Sequence, residues 1–146
     1  MKNLEEQPHD YFSVSFRIIG DTLEPSKLTK LLGLYPQIAH KKGEPNTGKS
    51  KSGKIVNYAP FNTGLWCIDS KLDECSTLQE HLINLIECIE PKKDILAELK
   101  NEGFKMDFYC GYFFSAPSQA GISLTNCVLK RITELGIDFG IALYPS

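Results

Sequence analysis

Residues 11–19 alternate in character. Phe12, Val14, Phe16 and Ile18 fall on one face, and Tyr11, Ser13, Ser15 and Arg17 on the other. A period of two predicts a half-buried strand. Gly20 and Asp21 turn the chain. Pro25 then suits the first position of a helix with Leu28, Leu31 and Leu32 on its apolar stripe, and Gly33 follows as the C-terminal cap. Residues 65–68, with Trp66, predict the next strand. Leu78, Leu82, Leu85, Ile86 and Ile89 recur at helical spacing behind a capping box, either Ser76 with Gln79 or Thr77 with Glu80. Pro91 breaks that helix and opens another with Ile95, Leu96 and Leu99 inward, ended by Gly103. Residues 104–114 read as a long strand. Leu124, Val128, Ile132 and Leu135 form a last helix before Gly136, and Ile137, Phe139, Ile141 and Leu143 alternate in a closing strand.

The two halves echo each other: strand, turn, helix, Leu32-Gly33-Leu34, then strand, loop, helix, Leu135-Gly136-Ile137. Two strand–helix–strand units side by side give an α+β ferredoxin-like sandwich, a mainly antiparallel sheet with helices on one face. The expected organisation is a flexible N-terminus over residues 1–10 and a single α+β domain over residues 11–146. Residues 35–63 interrupt the pattern. Rich in proline and glycine, they carry Lys41, Lys42, Lys49, Lys51 and Lys54 against a single acid, Glu44. They predict one long irregular exposed loop, a flap or a hairpin.

The chain has 146 residues, 42% hydrophobic and 23% charged, which fits one globular domain and excludes a collagen or a coiled-coil rod. No apolar run approaches a membrane span, and the polar start has no apolar signal core, so a cytoplasmic protein without a membrane partner is expected. A net charge of −2 argues against nucleic acid as the partner. The cysteines at 67, 75, 88, 110 and 127 are odd in number and widely spaced, and no pair makes C-x-x-C. That pattern predicts reduced thiols and no metal site.

Gly43-Glu44-Pro45-Asn46-Thr47-Gly48-Lys49-Ser50 matches the phosphate-binding G-x-x-x-x-G-K-[ST] pattern. The pattern works only where a buried strand delivers it and a helix begins at the lysine. Ala39-His40-Lys41-Lys42 before it and Lys51-Ser52-Gly53-Lys54 after it supply neither, so no nucleotide cofactor is expected. The lysines still attract an acidic partner or simply keep the loop solvated. A Cys–His pair from Cys67 or Cys88 with His81 has nothing in the sequence to fix its distance. Asp69, Asp73 and Glu74 precede a helix, whose N-terminus carboxylates commonly serve. No catalytic set emerges.

The strand over residues 104–114 is unusually aromatic. If Phe104, Phe108 and Tyr112 face the helices, Tyr109 and Phe113 point the other way, alongside Tyr11 and Tyr144 on their own strands. This predicts an aromatic open sheet face for protein binding or self-association, unless the long loop covers it. The expected contact residues are Tyr109, Phe113 and Lys49.

Asp21-Thr22-Leu23-Glu24-Pro25, then residues 28–34 with Pro36 and Lys42-Gly43, resembles the opening of the bacterial family known as domain of unknown function 4279. Gly64-Leu65-Trp66, Leu78-Gln79-Glu80-His81-Leu82 and Leu135-Gly136-Ile137-Asp138-Phe139-Gly140-Ile141 continue the resemblance. It covers about residues 11 to 144 and implies a compact bacterial domain, with no catalytic residues to transfer. Gly33, Trp66 and His81 match family-like positions that serve structure equally well: a helix cap, a core anchor and a hydrogen bond to a neighbouring loop. The expected function is a non-catalytic protein-interaction module resembling an immunity protein, with a protein partner or a homodimer. The alternatives are a small-ligand-binding regulatory domain and, behind it, a cysteine- or nucleotide-dependent enzyme.

Overall fold

A computed structural model describes residues 10–115 and 121–145. The expected flexible N-terminus lies outside the described residues, Asp10 excepted. The elements run β1 (Tyr11–Gly20), α1 (Pro25–Leu32), β2 (Ile38–His40), β3 (Asn46–Lys49), β4 (Ile55–Tyr58), β5 (Gly64–Asp69), α2 (Leu78–Ile89), α3 (Lys93–Asn101), β6 (Lys105–Phe114), α4 (Asn126–Leu135) and β7 (Asp138–Pro145). Five strands form one mixed, mostly antiparallel sheet in the order β2-β5-β1-β6-β7, with helices on one side. This is the α+β sandwich that the periodicity predicts. Its connectivity departs from the ferredoxin-like expectation: β7 lies directly beside β6 and parallel to it, with no strand between them. The C-terminal half is therefore a contiguous strand–helix–strand unit rather than a split one.

By its contacts the chain forms two compact units. The first comprises Met1–Phe16, Asp69–Lys93 and Asp107–Ser146; the second comprises Arg17–Ile68 and Asp94–Met106. In the first unit, Val14, Phe16, Phe108, Cys110 and Tyr112 are buried from the strands, and Leu82, Leu85, Ile86, Val128 and Ile132 from α2 and α4. Each helix presents its apolar residues at the 3.6-residue period that a one-sided burial demands. Thr77 caps α2: its hydroxyl accepts the Glu80 N–H at 3.1 Å, and the Glu80 carboxylate accepts the Thr77 N–H at 3.2 Å. Of the two capping boxes the sequence allows, the second is realised.

In the second unit, Ile18, Leu23, Leu28, Leu32, Leu96, Leu99 and Met106 are buried, and Trp66 is fully buried. Its indole N–H donates to Thr29 Oγ1 at 3.1 Å, tying β5 to α1. Gly33 and Gly136 close their helices at φ +68° and +67°, a left-handed conformation that costs glycine little. The echo between the halves thus marks the same capping device used twice.

Residues 35–63 hold more structure than an irregular loop. Residues 38–40 add β2 to the sheet edge, pairing antiparallel with β5 through Ile38 and Cys67. Beyond them β3 and β4 form a separate two-stranded hairpin, Lys49 opposite Ile55 and Asn46 opposite Tyr58. Of the flap and the hairpin, the hairpin is the form adopted. The β-prone run Ile55-Val56-Asn57-Tyr58 pairs back across a turn in which the Gly53 N–H donates to the Ser50 carbonyl at 2.9 Å.

The Trp66–Thr29 contact gives a direct test. Thr29→Val keeps the shape and removes the acceptor, leaving a buried N–H unsatisfied. Urea unfolding should show a loss of about 1–3 kcal/mol, whereas Lys30→Ala on the exposed face should stay within about 0.5 kcal/mol.

Candidate functional site

The aromatic sheet face is assembled within the first unit. Tyr109, Gly111 and Phe113 alternate along one face of β6, while Phe108, Cys110 and Tyr112 are buried on the other. The register sets Phe113 opposite Tyr144 and Gly111 opposite Ala142. Three rings from three strands stack in series. Tyr11 lies on Phe113 with centroids 4.6 Å apart and planes 4° from parallel; Phe113 lies on Tyr144 at 4.7 Å and 13°.

Gly111 explains why the rings lie down. A Cβ there would stand 3.1 Å from Phe113 Cε2 and 3.5 Å from Tyr144 Cε2. The rings therefore lean back over bare backbone and form a flat platform. Tyr144 also hydrogen-bonds Tyr109 through its phenol, which pushes the Tyr144 hydroxyl above its ordinary pKa. Tyr11, Phe113 and Tyr109 are half-buried and Tyr144 is 44% exposed. In the same unit Ser15 donates to Asp69 at 2.6 Å, and Asp138 is exposed at the start of β7.

Tyr112, on the buried face, fastens the chain around this platform. Its ring stacks on Phe12 at 4.6 Å. Its hydroxyl donates to Asp10 Oδ2 at 2.6 Å and accepts the Gly121 N–H at 2.9 Å. The bond to the Asp10 carboxylate raises the Tyr112 pKa.

The expected contact residues Tyr109 and Phe113 thus come together on one surface. Lys49 belongs to the other unit and to the hairpin sheet. It is exposed, and Ser50–Gly53 turn the chain back into β4 directly after it. No helix begins at Lys49, so residues 43–50 lack the strand-then-helix scaffold that aims amides at a phosphate.

His81 is 2% exposed, and its Nδ1 lies 2.6 Å from Ser70 Oγ. The next turn of α2 supplies Asn84, whose Oδ1 accepts the Lys71 N–H at 3.0 Å. His81 therefore holds the loop after β5, the structural role the sequence suggests for it. Burial lowers its pKa, against the raising influence of the Glu74 carbonyl, Glu80 and Asp73. Burial also pushes the Cys110 thiol up to about 11, which keeps it protonated and unreactive at neutral pH. The Asp73 carboxylate accepts the Cys75 N–H at 2.8 Å and shapes the turn before α2. Among the described residues no group of three histidines, cysteines or carboxylates is arranged to hold a metal ion.

A cavity of about 800 Å³ opens beside the C-terminal ends of α2 and α4, lined by Glu87, Glu90, Lys93, Arg131 and Glu134 among others. Arg131 is occupied there. Its Nε and Nη2 each donate to a Glu90 oxygen at 3.1 Å, which lowers the Glu90 pKa and raises that of Arg131.

Two features of the site escaped the sequence reading: the space that Gly111 leaves for the rings, and Ser70 as the partner of His81. The alternation Tyr109-Cys110-Gly111-Tyr112-Phe113 carries the first signal, a glycine flanked on its own face by two aromatics.

The buried imidazole sets a pH dependence. His81 titrates near 6.5 when unfolded and lower when folded. The unfolded chain therefore binds the extra proton as pH falls from 6.5, and stability is lost below that point. The carboxylates of Asp21, Glu80 and Glu90 are also lowered, from the ordinary carboxylate range, and act at lower pH. Urea unfolding at pH 7.5 and 5.5 should show the loss, and His81→Gln should flatten it.

The described family model, Domain of unknown function (DUF4279), matches residues 9–146. No curated protein matches the chain. No solved structure matches it.

Proposed function

We propose, for a chain that belongs to the family described as Domain of unknown function (DUF4279), a non-catalytic role in protein recognition, with the stacked aromatic face of the sheet as the contact surface. The observation that carries this reading is the series Tyr11–Phe113–Tyr144, held flat over Gly111. Rigid aromatic rings supply large contact area with little conformational entropy to lose, which is why such residues dominate binding hot spots. The series is already ordered by stacking in the free chain, so a partner need not immobilise it. Lys49, in the other unit, has a lesser role: an exposed lysine on a hairpin tip adds steering toward acidic groups more than affinity. The module acts as immunity proteins do, by occupying a surface, and it needs no cofactor. It works in the cytoplasm of a bacterium.

A small-ligand role draws less support. The cavity beside α2 and α4 is lined by five charged side chains together with Pro91 and Leu135, and its arginine is paired with Glu90. A ligand site of the usual kind is mostly apolar with a few convergent polar groups.

The test is co-purification of the chain from its native cell, followed by titration of the partner recovered. Phe113→Ala and Tyr144→Ala should each weaken that partner by about 30-fold, the size of a hot-spot loss. Lys49→Ala should mainly slow association. Unchanged affinity after truncating both rings would remove the basis of the reading. A metabolite that raises the melting temperature would favour the ligand alternative instead.

A further inference from the structure

The two ends of the five-stranded sheet are built differently. At one end β2 is three residues long, Ile38–His40, and runs into Lys41 and Lys42. Brevity and lysine are the usual protections of an exposed edge. At the other end β7 is eight residues long, Asp-Phe-Gly-Ile-Ala-Leu-Tyr-Pro, paired along its whole length with β6 on its inner side. Among the described residues nothing pairs with its outer side. It holds no lysine or arginine, its only charge is Asp138 at the start, and Pro145 stands at the last position. Leu143 is 61% exposed, and in the same unit Leu129 of α4 is 47% exposed.

We infer that the outer edge of β7 pairs antiparallel with β7 of a second copy of this chain. The inference concerns the strand edge and does not rest on the role given to the aromatic face.

Each copy carries the same long, lysine-free edge, and the position of its one charge selects the direction. A parallel copy would set the two Asp138 carboxylates side by side. An antiparallel copy about a two-fold axis sets them at opposite ends, about 20 Å apart at 3.4 Å per residue. Centred on Ile141, that pairing brings Asp138 opposite Tyr144 and Phe139 opposite Leu143 of the second copy. Directly opposed residues share a face, so the exposed leucine gains an aromatic neighbour. A two-fold pairing is also closed: it consumes both long edges and leaves only the short, lysine-flanked β2 edges outside.

The experiment is sedimentation equilibrium of the full chain over roughly a hundredfold concentration range. The expected result is a species of twice 16.4 kDa. Leu143→Lys, at a position already exposed, should weaken dimerisation by about tenfold or more, with an unchanged circular dichroism spectrum. Hydrogen exchange of the unaltered chain gives a readout independent of any substitution: amides of residues 139–144 should gain protection as concentration rises. A monomer at every concentration overturns the inference, as does a dimer indifferent to Leu143→Lys whose β7 amides exchange freely. If instead β7 is protected in a monomer and loses that protection when residues 1–9 are deleted, the chain's own N-terminal segment covers the edge and the second copy does not.

Discussion

Helices cover only one side of this sheet, and that asymmetry governs what the other side must do. A strand buried on one face has to place half its residues on the opposite face, whatever their character. Along β6 the buried half is Met106, Phe108, Cys110 and Tyr112, and the open half includes Tyr109, Gly111 and Phe113. The open half meets its own apolar area by stacking ring on ring across β1, β6 and β7. The buried half is held by Tyr112, whose hydroxyl joins Asp10 to Gly121. A single strand therefore organises both the core and the surface of the first unit.

Much of this architecture is legible in the chain. Alternation in residues 11–19 locates β1 and its inward face, because Val14, Phe16 and Ile18 are indeed the buried positions. The helical stripe of Leu78, Leu82, Leu85, Ile86 and Ile89 reproduces the buried side of α2. Glycine after leucine marks two helix ends correctly, since only a left-handed residue closes those turns. These features rest on local geometry, which a sequence carries openly.

What stayed hidden depends on partners distant in sequence. The hairpin of β3 and β4 pairs Asn46-Thr47-Gly48-Lys49, a weak strand former, with Ile55-Val56-Asn57-Tyr58; the second run stabilises the first, and composition alone conceals it. The order β5-β1-β6-β7 is decided by packing, which periodicity does not encode. The flat pose of Phe113 and Tyr144 needs both the register of β6 with β7 and the missing side chain of Gly111. The serine that holds His81 lies eleven residues upstream, in a loop with no pattern of its own.

The distribution of chromophores has a practical consequence. The chain's only indole, Trp66, sits in the second unit, sealed from water and bonded to Thr29, while Tyr11, Tyr109 and Tyr144 sit in the first. Fluorescence excited at the red edge of the spectrum therefore watches the surroundings of α1 and β5. Four of the six tyrosines lie in the first unit, and those stacked or hydrogen-bonded there supply a separate dichroic signal in the near ultraviolet. One denaturant titration followed through both optical channels can resolve whether the two compact units lose their structure together or one after the other.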